Sequence, residues 1–127
     1  MTEASAVLLD LLEATEFIAI VTSGADGPHV TGTWGSYVRK LSPSAQTIVM
    51  PVGGYHQTGA NLARDDRIKL LLASQQVQGS HGPGQGCAIS GTAELVTEGP
   101  IAEKVKNHFP WARGALVIAV GEITPQL

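Results

Sequence analysis

Apolar residues Ala6, Val7, Leu8, Leu11 and Leu12 recur at helical spacing, with Asp10 and Glu13 off the stripe. The spacing predicts an opening helix, with Thr2 or Ser5 available as its N-cap. At Phe17 the pattern changes to β: FIAIVTS is a β-branched run, and the turn-rich Gly24-Ala25-Asp26-Gly27-Pro28 separates it from HVTGTWGSYVRKL. The two runs predict a hairpin whose second strand continues toward Leu41. Ser42-Pro43-Ser44 marks another turn, and QTIVMPV reads as a short buried strand that ends at Gly53-Gly54. A helix is expected from about Thr58 to Arg64, followed by the strand IKLLLAS.

Residues 78 to 86, QGSHGPGQG, are so rich in glycine that they predict a loop. CAISGTAELVTE alternates as a long strand does, with Gly91 where a bulge would fall. Gly99-Pro100 opens a short helix over IAEKVKNHF, and ALVIAVGEITPQL closes the chain as a strand. Helices do not alternate with strands, so the order favours a mainly β, α+β fold. The expectation is a closed or partly closed barrel of six antiparallel strands with short flanking helices.

Composition narrows the function more than the fold. A chain of 127 residues suits a single domain over its whole length. A net charge of -3 offers no broad positive field for nucleic acid or an anionic membrane. The single Cys87 excludes an internal disulfide and fits a reducing compartment. The acidic N-terminus is no signal peptide, and no apolar run is long enough for a bilayer span, so a soluble cytoplasmic protein is expected. His29, His56, His81 and His108 are dispersed without ligand spacing, so no metal site is expected. Ser80-His81 lacks the setting of an activated nucleophile.

The segment MPVGGYHQTGANLARD, residues 50 to 65, is the most informative stretch for chemistry. Glycines let a ligand approach the backbone, and a helix N-terminus attracts an anion such as phosphate. The same residues also fit an ordinary strand, turn and capped helix. Neither a P-loop nor a dinucleotide-binding glycine fingerprint is present. Thr33, Trp34 and Tyr37 lie among Gly32, Gly35 and Ser36, small residues that leave room for a planar group. Read alone, Trp34 and Trp111 fit a packed core as well as a ligand wall.

Taken together, DGPHV (26 to 30), TW.SY (33 to 37), PVGG.H.T.AN.ARD (51 to 65), GPG.G (82 to 86), WARGALVI (111 to 118) and terminal Leu127 resemble one family. It is that of the small FMN-binding proteins of anaerobic bacteria, relatives of the pyridoxamine 5′-phosphate oxidase-like split barrels. The resemblance implies a homodimer with FMN at its interface. Gly32, Thr33, Trp34, Gly53, Gly54 and Thr58 would line the flavin site, with Tyr37 close by and Thr58 on the phosphate. Trp111 and Leu127 would reach across from the other subunit. Gln57 stands at the phosphate site where the family places a lysine, and Gly32 and Gly35 stand where it has asparagines.

The implied role is an electron-transfer flavoprotein, its acidic balance suited to a transient basic redox partner protein. The alternatives are an NAD(P)H-dependent flavin reductase or small FMN-dependent oxidoreductase, a module that stores or senses FMN, and a barrel that takes another planar ligand.

Overall fold

The computed structural model describes residues 2–127. Its elements run α1 (Glu3–Ala14), β1 (Phe17–Gly24), β2 (Gly27–Trp34), α2 (Gly35–Arg39), β3 (Thr47–Val52), α3 (His56–Arg64), β4 (Arg67–Gln78), β5 (Pro83–Val96), α4 (Pro100–His108) and β6 (Gly114–Gln126). The six strands form one antiparallel sheet in the order β2-β1-β4-β5-β6-β3, curled into a half-barrel. The fold is mainly β with four helices among the described residues, as the order of patterns predicts. No helix of these residues is long and apolar enough to cross a membrane.

Strand alternation builds the core. Ile18 and Ile20 of β1, Ile68, Leu70 and Leu72 of β4, and Cys87 and Ile89 of β5 all point inward and are buried. Ile48, Met50, Leu116 and Ile118 complete the lining from β3 and β6. Leu8, Leu11 and Leu12 of α1 cover this surface, and the Thr2 side chain caps the helix by accepting from the Ser5 N–H at 3.0 Å. A smaller cluster gathers Leu41, Val105, Phe109, Ala112 and Ala115, with Tyr37 packed against it. The expected bulge falls between Ser90 and Gly91, where a β-carbon on Gly91 would collide with the Ala119 carbonyl oxygen.

Three local expectations are corrected. The second strand does not run on to Leu41. It ends at Trp34, opposite Phe17, and the chain turns into α2, with the Gly35 N–H donating to the Glu16 carbonyl at 2.8 Å. The glycine-rich stretch is a loop only over Gly79–Gly82, because β4 and β5 extend toward it and pair at Gln78 and Pro83. Thr58 does not open its helix. Tyr55 occupies the N-cap and Thr58 is the third residue of α3.

Candidate functional site

The curl of the sheet brings its two edge strands, β2 and β3, toward each other, and a cleft of about 310 Å³ lies between their ends. Thr33 and Trp34 reach it from the last residues of β2, and Tyr37 from α2. Pro51, Gly53, Gly54 and Tyr55 supply the opposite wall as β3 runs into α3. Trp111 enters from the segment before β6. Both tryptophans of the chain are therefore in this cleft and about half exposed, and neither fills a core.

The aromatic wall is mutually braced. Tyr37 meets Phe109 and Trp111 with centroids 5.1 and 5.6 Å away, and Phe109 and Trp111 lie 5.5 Å apart. On the far side Phe17 contacts Trp34 edge-on at 5.8 Å. Phe17 also occupies the space a side chain at Gly32 would need, which explains the glycine and makes Phe17 the wall there. Phe17, Pro51 and Tyr55 were not read as site residues from the sequence. Their positions depend on strand pairing and on the turn after β3, and no local motif marks them.

Beyond Gly54 the cleft gives way to the first turn of α3. The amides of His56, Gln57 and Thr58 precede the first helical bond of α3, from the Gly59 N–H to the Tyr55 carbonyl at 2.8 Å. Such a terminus favours negative charge. Within this turn the Thr58 side chain is fully buried, and its hydroxyl has no hydrogen-bond partner. An unpartnered buried hydroxyl costs stability, so its persistence points to a ligand atom that satisfies it. Gly54 faces open space that a β-carbon would enter without contact. Arg113 fixes the turn, donating from Nε to the Gly53 carbonyl at 3.0 Å and from Nη2 to the Gly54 carbonyl at 2.7 Å.

The structure therefore gathers Gly32, Thr33, Trp34, Tyr37, Gly53, Gly54 and Trp111 around one cleft, with Thr58 in the adjoining helical turn. Trp111, expected from a partner subunit, lines the cleft of its own protomer. Gln57 turns along α3 and donates to the Asn61 side-chain carbonyl at 2.8 Å, and Asn61 donates in turn to the Thr22 hydroxyl at 3.0 Å. Leu127 is not brought to the cleft within the protomer. It lines a separate hollow with Ala73, His81 and Gln85, and its carbonyl accepts from the Ser80 N–H at 2.9 Å.

A curled antiparallel half-barrel with a ligand-sized cleft at its split defines the class of split-barrel proteins. The chain belongs to the pyridoxamine 5′-phosphate oxidase family, whose sequence profile matches residues 5–125. It is 47% identical over 111 residues to the FMN-binding protein of Nitratidesulfovibrio vulgaris (strain Miyazaki F), a match covering 87% of this chain and 88% of that protein. Among solved structures it is similar in fold to HupZ of Group A Streptococcus, with TM-score 0.74, 21% identity and coverage of 92% and 94% of the two chains. It is likewise similar to an FMN-binding protein from Syntrophomonas wolfei, with TM-score 0.67, 15% identity and coverage of 98% and 87%.

Proposed function

We propose that this chain binds FMN in the cleft between β2 and β3 and serves as an electron-transfer carrier. The observation that carries the reading is one juxtaposition. An aromatic cleft opens beside a helix N-terminus that holds a buried, unpartnered threonine hydroxyl. Planar ring and phosphate are the two chemistries these ends suit. The name and 47% identity of the Nitratidesulfovibrio relative support FMN as the molecule that carries both.

Bound flavin supplies one- and two-electron chemistry of its own. The residues here hold it: Trp34 and Trp111 bracket the ring, Gly53 and Gly54 admit it close to the backbone, and the Thr58 hydroxyl and first-turn amides take the phosphate. The cleft lining includes no carboxylate, histidine, lysine, arginine or cysteine, and its titratable groups are the phenols of Tyr37 and Tyr55. This suits electron transfer better than acid–base turnover of an organic substrate.

The dimer follows from the outer face of the sheet. Val30 and Trp34 of β2, Phe17 of β1 and Leu71 of β4 stand on adjacent strands of one face, each between 48% and 63% exposed. An apolar face of this kind, continuous with the cleft, suits a second copy of the chain that covers the bound ring and shields it from water.

The test is anaerobic reduction of the FMN-loaded protein. Reduction by dithionite, with no reaction on adding NADH or NADPH, is the carrier's signature. Steady NAD(P)H consumption would replace the carrier with a flavin-dependent oxidoreductase.

A further inference from the structure

Tyr55 joins two parts of the cleft that no other side-chain hydrogen bond joins among the described residues. Its backbone forms the N-cap of α3, and its phenol donates across the split to the Gly32 carbonyl on β2. The backbone lies in the left-handed region, at φ 58 and ψ 33, where a bulky side chain is disfavoured. An asparagine or glycine would fit that backbone more readily. A tyrosine is kept at a position that disfavours it, and the phenol's reach to the opposite strand accounts for this.

We infer that Tyr55 is a positioning residue, a clasp across the split that fixes the first turn of α3 at a set separation from Thr33 and Trp34 on β2. The inference rests on the flavin reading and adds to it a residue that selects phosphorylated over unphosphorylated flavin. FMN touches both sides of the clasp: its ring lies against Trp34, and its phosphate lies at α3. Riboflavin uses the ring side alone. With the clasp closed, ring and phosphate sites are held in register, and the second contact costs little further ordering. With it open, the phosphate site shifts against the ring site, and the advantage of carrying a phosphate shrinks.

The chemistry of the phenol suits this task. Burial raises the Tyr55 pKa above its ordinary value, and the neighbouring Thr33 hydroxyl draws it partway back. The group therefore remains an O–H donor at neutral pH. The Gly32 carbonyl it engages belongs to an edge strand, whose outward backbone groups have no further strand to pair with.

Titrations of the wild-type protein and of Tyr55→Phe with FMN and with riboflavin decide the matter. The expected result is a fall of about three- to tenfold in the FMN-to-riboflavin affinity ratio, the size of one lost hydrogen bond. A residue that only stabilised the fold would leave that ratio unchanged. Tyr55→Asn suits the left-handed backbone but cannot reach Gly32. It should show the same fall, and a wild-type ratio in this variant would overturn the clasp. In flavin-free protein, amide exchange at the first turn of α3 should accelerate in both variants. Normal flavin binding with an unaltered ratio overturns the inference alone, whereas a wild-type protein that binds neither flavin overturns the flavin reading and the inference with it.

Discussion

The indole of Trp111 rests on Gly53, where a β-carbon would come within 3.2 Å of two indole carbons. The same short segment holds both partners, because Arg113 pins the Gly53-Gly54 turn through their carbonyls and its own N–H donates to the Val52 carbonyl at 2.8 Å. Gly53→Ala should therefore push the half-exposed indole aside and leave the backbone in place. Stability should change by less than about 1 kcal/mol, while FMN binding weakens by about 1 kcal/mol. Thermal unfolding of the flavin-free protein and FMN titration of the same preparation measure the two effects separately.

Thr58 offers a test in which stability and binding move in opposite directions. Valine copies the shape of threonine and removes the buried hydroxyl that has no partner. Flavin-free Thr58→Val should gain about 1 to 3 kcal/mol in urea unfolding, since the desolvated hydroxyl is no longer carried. Its affinity for FMN should fall, and its affinity for riboflavin should not.

Gln57 lies in the first turn of α3, where a cation would face the phosphate, and its amide is engaged by Asn61. Gln57→Lys should strengthen FMN binding by about 1 to 3 kcal/mol through a charge-assisted hydrogen bond. The gain should shrink as salt is raised, because the side chain at this position is exposed. Calorimetric titration at two ionic strengths tests both the sign and the screening.

Cys87 is fully buried in the core, and burial pushes its thiol up from 9.0 to about 11. The folded protein should resist a thiol reagent at pH 8 and react fully once unfolded. The raised value favours the neutral thiol in the folded state. The thiol's contribution to stability is therefore present below about pH 9 and is lost as pH rises toward 11. Unfolding measured across that range in wild type and Cys87→Ala should show the slope only in wild type.

The strands were legible because their alternation is strong, as in β1 and β4, where buried and exposed residues take turns. The end of β2 was not, since Gly35 to Arg39 carries no helical stripe. Its helix is set by tertiary bonds: the Gly35 amide reaches Glu16, and the Arg39 guanidinium reaches the Leu12 and Thr15 carbonyls at the end of α1. The hairpin of β4 and β5 was hidden for a related reason. Gln85 is buried and donates to the Gly86 carbonyl at 2.7 Å, an ordering that a glycine-rich sequence does not announce.

The site divides in the same way. Trp34, Gly53 and Gly54 stood out through local composition, whereas Phe17 and Tyr55 enter the cleft only because the sheet curls and brings β2 opposite the end of β3.

The central claim is that the cleft between β2 and β3 holds FMN, and both tryptophans of the chain line it. Titration of flavin-free protein with FMN, followed by indole fluorescence and flavin absorption together, tests it most directly. The account predicts saturable quenching at one flavin per chain with a shifted flavin spectrum, and much weaker binding after Trp34→Ala or Trp111→Ala. Unchanged indole emission and an unshifted flavin spectrum at saturating FMN would contradict it.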